Sequence, residues 1–119
     1  MARDVAFLTT WGSPVRGREA KSLEVFMEFL AYWGKQAAEG RCSEPEAYLA
    51  TDGSGGMSIV RGKSDALLEI SESDESLKLI EKGQMIVDDL KTHWYYTGQE
   101  QIQSLTGLFV EVGQDLGYM

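Results

Sequence analysis

The chain has 119 residues, 43% hydrophobic and 25% charged, enough for one domain with one core and too few for two. Nineteen acidic residues against eleven basic ones leave a net charge of -8. The basic residues are scattered rather than gathered into a patch, which argues against a nucleic-acid partner. Charges interrupt every apolar stretch well short of the roughly 18 residues needed to span a bilayer. The start, Met-Ala-Arg-Asp, is too acidic for a secretory signal, so a cytoplasmic protein without a membrane partner is expected. The single cysteine, Cys42, forbids an intramolecular disulfide and suits a reducing compartment. Its neighbours Arg41 and Ser43 provide no base, so a nucleophilic thiol is not expected.

Residues Asp4 to Trp11 are β-branched and aromatic and stop at Gly-Ser-Pro, which predicts a first strand. One of its faces is Val5, Phe7, Thr9 and Trp11, and the other Ala6, Leu8 and Thr10. Neither face carries a charge, so both need cover. A long helix is predicted from about Arg18 to Glu39. Leu23, Phe26, Met27, Leu30, Trp33 and Ala37 follow the helical repeat and form its expected core side. Val25, Phe29 and Tyr32 make a second stripe beside the first, an apolar width beyond one sheet contact that implies a partner. Gly40 supplies the left-handed stop.

Glu46 to Thr51 and Met57 to Arg61 read as short strands around "TDGSGG", residues 51 to 56. The glycines let the chain reverse, and the absence of G-x-x-x-x-G-K-[ST] favours a hairpin over a phosphate loop. Ser64 is placed to cap a short helix, "DALLEIS". A longer helix is predicted from Ser71–Asp74 through Leu90, with acids in its first turn, where the helix dipole favours them. Leu79, Ile80, Gly83, Ile86, Val87 and Leu90 form its expected buried side. A strand from Lys91 to about Tyr96 follows. Thr97-Gly-Gln-Glu100 reads as a capping box opening the last helix. There Ile102, Leu105, Phe109, Val112 and Leu116 make a narrow seam suited to another helix or a sheet edge. Gly107, Gly113 and Gly117 weaken that helix in isolation, so tertiary contact must hold it.

The order β-α-β-β-α-β plus a C-terminal helix is the split βαβ arrangement. It predicts a single-domain α+β ferredoxin-like sandwich, a four-stranded antiparallel sheet with helices on one face. On this order, the two-faced strands and the segment "GKSDALLEISESDESLKLIEKGQMIVDDLKTHWYYTG", the chain resembles the dimeric α+β barrel superfamily. Subunits of that superfamily bring their open sheet faces together around a shared interior. Its members include antibiotic-biosynthesis-type monooxygenases, muconolactone-isomerase-like proteins and uncharacterised small bacterial proteins, and the quoted segment is most similar to the last. The resemblance implies a homodimer. It transfers no catalytic residue, because no family motif matches position by position.

The only histidine, His93, lies in "THWYYTG", residues 92 to 98. Strand alternation groups it with Tyr95 and Thr97. The most economical assembly leaves Tyr48, Ile59, Arg61, His93 and Tyr95 on the open face. That composition suits an aromatic or carboxylated small molecule, with His93 as the acid–base group. The same side chains would equally fill a dimer interface. A second candidate is "WGSPVRGR", residues 11 to 18, where Trp11, Arg16 and Arg18 precede a helix N-terminus and could hold a carboxylate, or form a solvated loop. One histidine without H-x-H, H-E-x-x-H or E-x-x-H spacing predicts neither metal nor cofactor. Two functional readings follow. One is a homodimer binding a small, partly apolar molecule between its sheets as a monooxygenase- or isomerase-like enzyme. The other is a dimerisation or regulatory module with no small-molecule site.

Overall fold

The computed structural model describes residues 2–119. Along the chain run β1 (Asp4–Trp11), α1 (Glu19–Ala38), β2 (Glu46–Leu49), β3 (Gly56–Lys63), α2 (Ser64–Ser71), α3 (Asp74–Ile86), β4 (Lys91–Tyr96) and α4 (Gln99–Asp115). The strands form one antiparallel sheet in the order β2-β3-β1-β4. This is the ferredoxin-like α+β fold expected from the element order. No helix is long and apolar enough to cross a membrane among the described residues.

Period-two alternation in β1 sorts the sheet into two faces. Phe7 lies between Val60 and Trp94, and Thr9 between Ser58 and Thr92, on the side that the helices cover. Leu8 lies between Ile59 and His93, and Ala6 between Arg61 and Tyr95, on the open side. The core beneath the helices is Val5, Phe7, Phe29, Trp33, Val60, Leu67 and Ile70. Trp33, 1% exposed, is its centre: its ring lies 5.6 Å from Phe7 and 5.7 Å from Tyr32.

Four local expectations need correction. In α1 the buried residues are Phe29, Trp33 and Gln36, so the core line runs between the two expected stripes. Leu23 and Met27, assigned to the core side, are 63% and 57% exposed. The apolar arc is wider than the sheet beneath it, and its outer edge overhangs. Ser64 does not cap α2. Its hydroxyl accepts from the Arg3 N–H at 3.0 Å and its own N–H donates to Arg3 O at 2.8 Å, tying the end of β3 to the start of β1. The helix α3, capped by Ser73 through Ser76 N at 3.2 Å, ends at Ile86 rather than Leu90. Val87 leaves the helix to bridge Pro14, and the N–H of Gly12 donates to Asp88 O at 2.7 Å.

The capping box is also absent. Gly98 holds the cap position of α4 at φ 92°, a conformation costly for threonine, and Thr97 N–H donates to Asp4 O at 3.1 Å instead. Gln101 anchors the root of α4: its amide nitrogen donates to Asp4 O at 2.5 Å, and its amide oxygen accepts from Asp4 N–H at 3.2 Å. Beyond that root α4 has no buried residue. It gives the chain extents of 56 × 32 × 24 Å and a radius of gyration of 17.1 Å. A compact chain of this length has about 13–14 Å.

Replacing Trp33 by Ala removes the ring at the meeting point of sheet and α1. Urea denaturation should show a loss of about 3–5 kcal/mol, and a loss below about 1 kcal/mol would show that the core is not centred there.

Candidate functional site

On the helix-facing side of the sheet, Thr9 of β1 and Ser58 of β3 are register partners. Both are buried, at 2% and 1% exposure, and their hydroxyl oxygens have no hydrogen-bond partner among the described residues. The layer above Thr9 is largely apolar: α1 presents Val25, Phe26 and Phe29 beside Ser22, and α3 presents Leu79, Ile80 and Gly83. A buried hydroxyl left unpaired costs about 1–3 kcal/mol, so two neighbours of this kind are a liability to folding.

Thr9 forms part of the wall of a cavity of about 50 Å³ between the sheet, α1 and α3. Trp11 closes one end, and Ile86, Val87 and Leu90 form the other wall. Every residue expected on the buried side of α3 and its continuation, from Leu79 to Leu90, lines this space. Gly83 is needed there, since a Cβ at that position would lie 2.5 Å from Leu90 Cδ1. No wall residue carries a titratable group.

Grooves flank the cavity on both sides of α1. Between α1 and α3 lies a surface crevice of about 380 Å³, which shares Val25 and Ile86 with the cavity. The ion pair of Lys82 with Glu28, at 3.2 Å, spans it. On the other flank, a groove of about 300 Å³ shares Trp11, Ser22, Phe26 and Val87 with the cavity and is walled further by Leu23 and Leu49.

The open face carries Tyr48, Ile59, Arg61, His93 and Tyr95, as the register of β2, β3 and β4 shows. His93 Nε2 is 3.2 Å from Thr10 Oγ1, and its ring centre is 6.2 Å from that of Tyr95. The other polar groups are already engaged. Arg61 is ion-paired with Glu46, and the Tyr48 hydroxyl donates to the same carboxylate at 2.7 Å. These bonds, that from Tyr48 foremost, hold the Glu46 carboxyl below the usual carboxylate range, and Glu46 raises the Tyr48 phenol. Trp11 falls on the opposite face, its ring 5.6 Å from Phe26, and Arg16 is exposed on the loop after β1, apart from both groups. Arg18 donates to Met85 O at 2.5 Å, fastening that loop to α3. The residues singled out from the sequence are thus divided: five share the open face, Trp11 lines the cavity, and Arg16 joins neither. Thr9 and Ser58 were missed, although Thr9 stands on the same strand face as Val5, Phe7 and Trp11, a polar residue in an apolar row.

Cys42 is half-buried against the core, and burial raises its thiol above the ordinary value, with Arg41 opposing in part. Among the described residues, no group of three or more His, Cys, Asp or Glu side chains is arranged to hold a metal ion.

No protein-family model matches the chain, and no curated protein matches it in sequence. Solved structures do match it in fold. The cofactor-independent oxygenase SnoaB from Streptomyces nogalater has a TM-score of 0.65 at 16% identity, over 82% of this chain and 96% of that one. A conserved Bacteroides thetaiotaomicron protein of unknown function, suggested to be an oxidoreductase, has 0.65 at 12% identity, over 81% and 100%. A candidate antibiotic biosynthesis monooxygenase from Deinococcus radiodurans has 0.60 at 15% identity, over 81% and 93%. The likeness to the dimeric α+β barrel group is therefore one of fold. The part of this chain left uncovered is comparable in length to α4 with its tail.

Two outcomes test this geometry. The isosteric Thr9→Val change removes an unpaired hydroxyl, so it should raise the unfolding free energy by about 1 kcal/mol in urea titration; a destabilised protein would mean that the hydroxyl has a partner. Cys42 should alkylate with iodoacetamide more slowly than a free thiol at about pH 8, because burial disfavours its thiolate. A rate equal to that of free cysteine would contradict the burial.

Proposed function

We propose that this chain is a single ferredoxin-like domain which forms a homodimer through its open sheet faces. In each subunit it binds a small, planar, largely apolar aromatic molecule between sheet and helices, and catalyses a monooxygenase-type oxidation of it without a cofactor. The observation that carries the reading is the unpaired buried hydroxyl of Thr9 in the wall of a largely apolar cavity, with the equally unpaired hydroxyl of its register partner Ser58 next to it in the sheet. A protein keeps such groups at a cost to stability when a ligand oxygen satisfies them. The oxygenase and monooxygenase names among its structural neighbours support the reaction class.

The cavity alone is smaller than an aromatic ring, so binding requires α1 and α3 to part along the crevice above it. Cavity and crevice together reach the size of small-molecule sites, roughly 300–1,000 Å³. The substrate enters past Glu28 and Lys82, and its oxygen meets the hydroxyls of Thr9 and Ser58. Its ring lies among Trp11, Phe26 and Phe29. With no titratable wall residue, the protein contributes orientation and exclusion of water, while the substrate supplies the electrons. For 1,5-dihydroxynaphthalene the balance is one O₂ consumed. One oxygen atom enters the ring carbon para to a hydroxyl to give 5-hydroxy-1,4-naphthoquinone, and the other leaves as water.

Pairing of the open faces is supported by the uncharged row Ala6, Leu8 and Thr10, flanked by Met57, Ile59 and Tyr95. The lone thiol Cys42 fits the cytoplasm. A second reading places the ligand between the paired sheets with His93 as acid–base group. It is favoured by the hydrogen bond between Thr10 Oγ1 and His93 Nε2, which orients the imidazole.

Oxygen uptake and quinone absorbance with 1,5-dihydroxynaphthalene separate the readings. Thr9→Val and Ser58→Ala should each lower kcat/KM by about tenfold, the worth of one hydrogen bond of about 1.4 kcal/mol, while His93→Gln leaves it unchanged. The reverse pattern supports the site between the sheets. If tryptophan fluorescence detects no binding and no oxygen is consumed, the chain is a dimerisation or regulatory module.

A further inference from the structure

The helix α4 exposes an apolar seam along most of its length, with Met119 of the tail against its side at Gly113. Ile102, Phe109, Val112 and Leu116 are 46%, 68%, 54% and 65% exposed. At 100° per residue they fall on one side together with Leu105, while Glu100, Glu111 and Asp115 fall on the opposite side. The helix holds Gly107 and Gly113, and an isolated helix of this length is marginal in water even with better helix formers. Its stability must come from a surface elsewhere.

The same chain leaves an apolar surface uncovered at the other edge of its sheet. Ala47 and Leu49 of β2 point to the helix side of the sheet, being register partners of Ser58 and Gly56, yet both are exposed. No helix lies over them. Above them α1 overhangs with Leu23 and Met27, next to half-buried Leu30, and a Cβ added at Gly34 would meet nothing within 4 Å. The result is a trough between α1 and β2 that ends in the 300 Å³ groove beside Trp11 and Phe26.

The chain's own α4 cannot fill this trough. It is rooted at Asp4, the end of β1 opposite Trp11, and leaves from β4, the sheet edge opposite β2. The trough is about 14 Å away across the sheet and about 25 Å along it, with α1 and α3 between. A second copy is free of that constraint. Four large apolar side chains of the seam, Ile102, Phe109, Val112 and Leu116, are more than one-third exposed, each with on the order of 100 Å². An arm therefore offers about 400 Å², and two reciprocal arms with the troughs they cover reach about 1,600 Å², within the roughly 1,200–2,000 Å² of stable dimers.

We infer that α4 is an exchanged arm that seats in the trough between α1 and β2 of a second copy. It rests on the homodimer reading above and deepens it. Each arm then covers the outer side of Trp11 and Phe26, so the cavity wall of one subunit is backed by its partner, and α1 is held on both flanks. Reciprocal exchange closes the assembly at two chains.

Disulfide trapping in a Cys42→Ser background tests the arm. Chains carrying Leu23→Cys are mixed with chains carrying Ile102→Cys, Phe109→Cys or Leu116→Cys, oxidised, and analysed by mass spectrometry, with sedimentation velocity of the unmodified chain alongside. At least one mixture should give a covalent heterodimer, and Phe109→Asp with Val112→Asp should weaken the dimer at least tenfold. Crosslinking of an α4 variant mainly to itself would overturn the proposal in favour of α4 pairing with α4. A dimer by sedimentation without any heterodimeric crosslink would remove the arm and leave the open-face dimer standing. A monomer would remove both.

Discussion

A central strand that carries no charge on either face from Val5 to Trp11 governs this molecule. With β3 on one side and β4 on the other, β1 cannot turn either face away from its neighbours, so the whole sheet inherits its two-sidedness. The helices satisfy one face through Val5, Phe7 and the ring of Trp33. The other is left with Ala6, Leu8 and Thr10, and the side chains around them determine what can lie against it. The positions of both candidate sites follow from this division.

The helix α1 links the two consequences. Its apolar arc covers the sheet with Phe29 and Trp33, faces α3 with Val25, and overhangs β2 with Leu23 and Met27. One helix thus walls a cavity on one flank and a trough on the other. A shift of α1 that widens the crevice narrows the trough, because the close-packed residues between them transmit displacement rather than absorb it. Whatever occupies the trough therefore bears on the cavity.

Element order was legible in the sequence because strand alternation and the glycines at Gly40 and Gly98 are local signals, while the ends of β2 and β3 moved by one or two residues. So was the grouping of His93 and Tyr95, which follows from counting by twos along β4. The rest depended on partners distant in sequence. The buried line of α1 runs through Gln36, a polar residue admitted because Arg41 bonds its side chain at 2.9 Å. The end of α3 was set by a bridge to Pro14, and the role of Ser64 by Arg3, contacts that no window of neighbouring residues contains. The cavity escaped notice for a related reason. Thr9 looked like an ordinary strand residue, and only the register with Ser58 reveals two hydroxyls side by side without partners.

The ion pair across the crevice sets how its opening responds to conditions. Glu28 and Lys82 are each about half exposed, and a pair so exposed contributes at most about 1 kcal/mol. The apolar side chains beneath them, Val25 and Phe29 of α1 and Leu79 and Ile86 of α3, do most of the closing. Such contacts weaken on cooling, whereas the charge pair is sensitive to ionic strength. Temperature rather than salt is therefore the stronger control on the contacts that hold the crevice shut.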